Sequence, residues 1–307
     1  MKALERYDHP VCYQDGKVND LETIDHAGRE KSMAYQILMR HHEEKKDNLF
    51  HIHFDSLISH DITYVNIIQS ARASGMKAFP LPYVLTNCHN SLCAVGGTIN
   101  EDDHMFGLSA ARKYGGIYVP ASQAVIHQFA REVLAGCGKM ILGSDSHTRY
   151  GCIGCMGVGE GGQELVKQLL ENTWDIEKPE VVLVYLEGRL PHGVGPHDVA
   201  LLLVGETFKD GFVKNRILEF AGPGVDNLSI ETRMGIDCMT TESSCLSSIW
   251  PADEKVREYY DTVHRPDAYQ KIKPLNGACY DRMIRIDLSE VECMIALPFH
   301  PSNIYTV

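Results

Sequence analysis

No apolar stretch in the sequence approaches the length of a membrane span. The longest runs, such as Val181 to Leu186, hold about half a dozen residues, so a transmembrane helix is excluded as a reading. A secretory leader is also lacking, because Lys2, Glu5, Arg6 and Asp8 break up the N-terminus. Positive charge is scarce: 29 Lys and Arg stand against 41 Asp and Glu, for a net charge of −12. With a pI near 5.6 the chain is a poor partner for nucleic acid or an anionic membrane, although a small anion can still find a local positive pocket. Solenoid repeats and low-complexity tracts are absent. Cysteine is plentiful: ten thiols without a leader fit a reduced, cytoplasmic protein. The 307 residues suffice for one large or two ordinary domains.

The most informative stretch is Lys139 to Leu170. Met140-Ile141-Leu142 reads as the end of a buried strand. Asp145-Ser146-His147-Thr148 then packs an acid, two hydroxyls and an imidazole together, and six glycines follow between Gly151 and Gly162 before a helical segment. Open α/β sheets place ligands just past a strand and ahead of a helix. The glycines are expected to bring backbone close to a ligand and to free amides for an anion. Taken alone, the Asp-Ser-His reads equally well as a glycine-rich loop with a structural histidine.

Elsewhere short strands alternate with capped helices, which predicts a three-layer α/β fold with mostly parallel sheets. Helices are expected over Ser32–His42, from His60-Asp61-Ile62-Thr63 to Gly75, over Ile99–Tyr114 and over Asn227–Cys238. Leu49–Ser59 and Tyr83–Ala94 read as strands, as does Val181–Leu186. A domain boundary is expected near Lys178-Pro179-Glu180, which divides the chain into residues 1–179, 180–297 and a linker start at 298–307.

Gly143-Ser144-Asp145-Ser146-His147-Thr148 with its glycine run resembles the aconitase and isopropylmalate isomerase superfamily, whose signature is G-[TS]-D-S-H-T followed by glycines. Further elements agree in order from about Lys31 to Val307. They include Lys31-Ser32-Met33-Ala34, His60-Asp61-Ile62-Thr63, Ile126-His127-Gln128, Gly222-Pro223-Gly224-Val225, Met239 with Glu242, and Pro298-Phe299-His300-Pro301. The resemblance implies aconitase-like domains 1 and 2 of a hydro-lyase that removes and re-adds water on a hydroxy di- or tricarboxylic acid. In that family a [4Fe-4S] cluster holds the substrate. By position, Asp145 would pair with His127 and Glu242 with His147, Ser146 would contact a substrate carboxylate, and His89 would donate a proton. His127 by itself is more often a core residue than a catalytic one.

Three positions depart from the family. Val65 stands where a substrate-binding Gln is expected, Cys88 where the acid beside His89 belongs, and Cys238 where an Asn contacts substrate. These changes imply a different or lost substrate. The family's cluster cysteines, carbon base and most substrate arginines fall after the position of Val307. The chain alone is therefore expected to bind no cluster, to be inactive, and to self-associate through a face made for further C-terminal domains. Cys152-x-x-Cys155 offers only two ligands. Two rival readings stand beside this one. The first is a dinucleotide-binding domain on Gly157-x-Gly159-x-x-Gly162, with Glu187 on a ribose; the second is a diverged, non-catalytic module that binds a ligand or partner.

Overall fold

The computed structural model describes residues 3–89 and 98–307. Two five-stranded sheets carry the fold. The first runs 117–119, 83–86, 56–60, 140–143, 156–159 in space, and every pairing in it is parallel. Its strands are buried runs without alternation, such as Met140–Gly143 and Tyr83–Thr86, as sheets covered on both faces require. Helices Tyr64–Ala73, Thr98–Tyr114 and Gly162–Leu169 serve this half of the chain, the first packing on the other two. The second sheet runs 4–7, 282–287, 181–187, 217–221, 247–249, parallel except for its Leu4–Tyr7 edge. Helices Pro196–Thr207 and Ile230–Met239 pack on each other beside it. The mostly parallel α/β class expected from the sequence is thus the class observed.

The first sheet contains the feature that positions the site. Its strand order turns back between Ser56–His60 and Met140–Gly143: the chain first builds outward through 83–86 and 117–119, then returns to the other side. Connections on either side of such a point diverge and leave a crevice at the carboxyl ends of the strands.

Some local readings change. Leu49–Ser59 is two strands, Leu49–Ile52 and Ser56–His60, which belong to different sheets. The helix expected from His60 begins at Tyr64, and Thr63 ahead of it does not cap it with its side chain. Its hydroxyl bonds the His60 carbonyl at 3.1 Å and the Ser144 hydroxyl at 2.6 Å. The Tyr83–Ala94 strand ends at Thr86, and its expected continuation past residue 89 lies outside the described residues. The N-terminal residues, which carry little signal, supply the Leu4–Tyr7 strand and the hairpin Val11–Gln14 with Lys17–Asp20.

The two sheets meet through the strands Met156–Gly159 and Ser247–Ile249. Ser247 donates from its hydroxyl to the Gly157 carbonyl at 2.7 Å, and the Trp250 amide donates to Gly151 at 3.2 Å. A second tie is Glu219, fully buried in the second sheet. Its carboxylate accepts from the Met33 and Ala34 amides at 3.0 and 2.9 Å, at the start of helix Met33–His41, and from the Tyr280 hydroxyl at 2.7 Å.

Candidate active site

Asp145 follows the Met140–Gly143 strand directly, at the crevice between the diverging connections. Its segment is a tight Asx-type turn. Oδ1 accepts the His147 amide at 2.8 Å, and the Asp145 carbonyl accepts the Thr148 amide and hydroxyl at 3.2 and 2.7 Å. The carboxylate is therefore aimed by its own loop. Some of the glycines that follow make room for this loop and for the second sheet. A Cβ on Gly159 would lie 2.5 Å from the Asp145 carbonyl, and one on Gly151 would lie 2.2 Å from that of Ser248. Gly157 and Gly159 also sit inside the Met156–Gly159 strand, not in a strand-to-helix turn, so the dinucleotide fingerprint lacks its geometry.

Four imidazoles surround Asp145. His127 Nε2 lies 3.0 Å from Oδ1, His89 Nε2 is 3.3 Å from Oδ2, His60 Nε2 is 3.7 Å from Oδ2, and His147 Nδ1 is 3.8 Å from Oδ1. His60 and His89 end or follow neighbouring strands, and their rings are tilted 31° to each other with centroids 3.8 Å apart. His147 Nε2 reaches Glu242 Oε1 at 3.0 Å. Glu242 belongs to a 3₁₀ turn, Thr240–Ser243, and the neighbouring Thr241 hydroxyl donates to the Ser146 carbonyl at 2.8 Å. Ser146 is exposed, with its hydroxyl 3.3 Å from His147 Nδ1. The six residues singled out in the sequence are thus linked by direct contacts.

Burial works against the Asp145 charge, but hydrogen bonds from His127 and the His147 amide hold its carboxyl well below the usual range. Burial also pushes His127 below its ordinary value despite Asp145. Its tautomer follows: Nε2–H donates to the carboxylate, and Nδ1 accepts from the Tyr150 hydroxyl at 3.2 Å. Both ring nitrogens of His127 are occupied. His89 and His147, each with 35% of its side chain exposed, are the imidazoles open to a ligand. Cys88 places its sulfur 3.3 Å from His89 Nδ1, so the acid missing at position 88 is supplied to the other ring nitrogen by Asp145.

Sequence reasoning passed over His60, Asp61 and Arg131. Burial, with His89 beside it, pushes His60 down to about 4. Buried Asp61 accepts the His89 amide at 3.0 Å and contacts His104 Nε2 at 3.3 Å, which fixes the backbone that carries His89. The His60-Asp61 pair lies in a motif already visible in the sequence. Its role is hidden there because only the strand order shows what stands beside it.

Iron–sulfur clusters are held by several cysteine thiolates. Cys88 and Cys238 both feel the Asp145 charge, and burial raises both thiols. Cys152 and Cys155 are fully buried, and burial pushes Cys155 up to about 12, so they are inert core thiols. The described cysteines do not fit a cluster.

A model of the aconitase family (aconitate hydratase) matches residues 35–307. The chain belongs to the aconitase family. It is 35% identical to the mitochondrial aconitate hydratase of Gracilaria gracilis over 66% of this chain and 27% of that protein. It is 32% identical to the mitochondrial aconitate hydratase of Schizosaccharomyces pombe over 80% of this chain and 33% of the relative. The 3-isopropylmalate dehydratase large subunit 2 of Archaeoglobus fulgidus is 31% identical over 66% of this chain and 49% of the relative. The chain therefore spans from about a quarter to a half of these relatives. Among the described residues no helix is long and apolar enough to cross a membrane.

Proposed function

We propose that this chain is the N-terminal part, aconitase-like domains 1 and 2, of a hydro-lyase that dehydrates and rehydrates a small hydroxy di- or tricarboxylic acid. The observation that carries the reading is Asp145, held ionised among imidazoles in the crevice of a parallel sheet. Asp145 orients and His89 exchanges the proton of a departing hydroxyl; Glu242 does the same for His147. Ser146, exposed beside them, is placed to donate to a substrate carboxylate. His127, with both nitrogens engaged, holds Asp145 in position.

The [4Fe-4S] cluster of the proposed whole protein belongs to cysteines outside this chain, and the 307 residues alone are inactive. The domain division near residue 180 and a cytoplasmic location are part of the same proposal. The thiols, free at every described cysteine, support a reducing compartment. Exposed Ile295, Leu297, Phe299 and Tyr305 near the Met294–Ala296 and Ile304–Thr306 hairpin support a face that meets the further C-terminal domains, or a second copy when they are absent.

Anaerobic reconstitution with iron and sulfide, followed by hydration assays on a panel of unsaturated polycarboxylates, tests the reading. The chain alone should remain colourless and inactive, and the chain joined to family domains 3 and 4 should turn over. A stoichiometric cluster with turnover in the isolated chain would overturn the assignment of ligands. The second reading, a non-catalytic ligand-binding module, is favoured by Val65, Cys88 and Cys238. Tight polycarboxylate binding without turnover in the joined protein would select it.

A further inference from the structure

Arg131 is a buried cation with no ion-paired acid among the described residues. It follows His127 by one turn, in the π-helical stretch Ala130–Leu134, a local geometry frequent at functional sites. Only 8% of the residue is exposed. A guanidinium keeps its charge and offers five N–H donors. One of these reaches the Arg149 carbonyl at 3.4 Å, and the buried Nε donates to nothing among the described residues. The Tyr150 ring centroid lies 5.7 Å from Cζ, and the Cys238 thiol lies against the guanidinium.

Buried charges are normally paired. Buried Arg233 has Asp253 at 2.6 Å, and Arg29 has Asp281. Asp237 feels the Arg131 charge, but its oxygens are engaged by the Ser248 hydroxyl, the Trp250 ring and the Cys152 amide. Arg149, whose carbonyl Arg131 touches, donates to the Thr148 and Cys245 carbonyls, and its buried Nε likewise has no partner among the described residues. Positive charge thus accumulates next to His127 and Asp145, and no acid among the described residues meets it directly.

We infer that Arg131 and Cys238 form an anion subsite that takes a carboxylate of a small polycarboxylic acid at the edge of the imidazole cluster. This rests on the proposed function and deepens it. A guanidinium grips a carboxylate with two parallel hydrogen bonds, which an ammonium cannot imitate. The thiol at position 238, against the guanidinium, is small and partly exposed. Neither Val65 nor Cys238 offers a carboxylate the hydrogen bonds of an amide side chain, and the Arg131 charge takes over that task.

Calorimetric titration of this chain with succinate and tricarballylate, read together with thermal melting, tests the subsite. The unaltered chain should bind at least one of them. Arg131→Met should weaken binding at least tenfold while the melting temperature holds or rises, because it removes a buried charge that lacks a partner. Arg131→Lys should bind less well than the unaltered chain. Cys238→Asp should supply the missing carboxylate from within, raising the melting temperature and abolishing binding. Binding that survives Arg131→Met unchanged, or an unaltered chain that takes up neither acid, overturns the inference. Turnover plays no part in this test. An inactive whole protein whose binding depends on Arg131 defeats the proposed function and leaves the subsite standing. An active one indifferent to Arg131 does the reverse.

Discussion

His147 Nε2 meets Glu242 Oε1 at 3.0 Å, although the two residues come from loops of different sheets. The contact exists because the edges of the sheets are stitched by Ser247 and Gly157 and because Thr241 holds the Ser146 carbonyl. Both side chains are partly exposed, at 35% and 26%. Exposed ion pairs contribute about 0–1 kcal/mol to folding. Glu242→Gln is therefore expected to shift urea unfolding by less than about 1 kcal/mol. In the whole protein it should slow turnover by about 100- to 10,000-fold, the usual scale of general acid–base catalysis. A large stability loss with unchanged turnover would make the pair structural.

Asp145→Asn separates the two oxygens of the carboxylate. The remaining carbonyl oxygen can still accept from His127 and the His147 amide, as Oδ1 does now. The new amide group then faces His89 and His60, where only an acceptor stood. His89 must turn its lone pair toward it, so its tautomer inverts. Loss of the charge should cost about 1–3 kcal/mol, the scale for a disrupted buried hydrogen bond. Nitrogen-15 NMR of the imidazoles reads the tautomers, and an unchanged His89 pattern would show that Asp145 does not organise the cluster.

How far the site is legible in the sequence depends on whether a residue's role is local. Asp145, Ser146 and His147 form their own turn, so their motif already contains most of their geometry. His60 and Arg131 acquire meaning only from neighbours. His60 matters because its strand lies at the reversal of strand order, which no local pattern encodes. Arg131 is notable for having no acid paired with it among the described residues, and sequence does not record such a gap. The glycine run suggests room for a ligand, and the sequence does not reveal that Gly159 also makes room for the Asp145 loop and Gly151 for the second sheet. Leu49–Ser59 reads as one strand because its apolar residues continue through the bend at Asp55, whose carboxylate caps the Met140 amide at 2.7 Å. The Leu4–Tyr7 strand pairs with residues 283–286, and such long-range pairing leaves little local trace.

The His60 environment predicts an acid-sensitive fold. An ordinary imidazole titrates near 6.5, and in the native protein burial and His89 push His60 down to about 4. Its neutral form is the one the fold accommodates. The associated stability is fully present above about 6.5 and is lost as pH falls from there toward about 4, where the unfolded chain binds a proton that the native state refuses. With allowance for solvent screening, the loss is on the order of 2 kcal/mol. His60→Gln should flatten that part of the pH–stability curve, measured by urea unfolding across the range. A slope equally steep in the variant would assign the acid sensitivity to another group.

Gly151 and Gly161 stand ten positions apart in the same glycine run and should respond differently to alanine. At Gly161 an added Cβ meets nothing within 4 Å, and φ is an ordinary −66°. Gly161→Ala should therefore be close to neutral, since restriction of the unfolded chain offsets the weaker fit of alanine at this helix N-cap. At Gly151 the Cβ would fall 2.2 Å from the Ser248 carbonyl oxygen and 2.6 Å from its carbon. These are backbone atoms of the strand next to Glu242, and they have no rotamer by which to yield. The strand must retreat, stretching the 3.2 Å bond from the Trp250 amide to Gly151 and drawing the Glu242 turn away from His147. Overpacking of this kind costs about 1–3 kcal/mol, and here the damage extends to an inter-sheet contact. Gly151→Ala should lower the unfolding midpoint and loosen the His147–Glu242 contact, whereas Glu242→Gln leaves the midpoint almost unchanged. Melting curves of the two glycine variants beside the parent decide it: equal midpoints for Gly151→Ala and Gly161→Ala would mean that the sheets do not meet at Gly151.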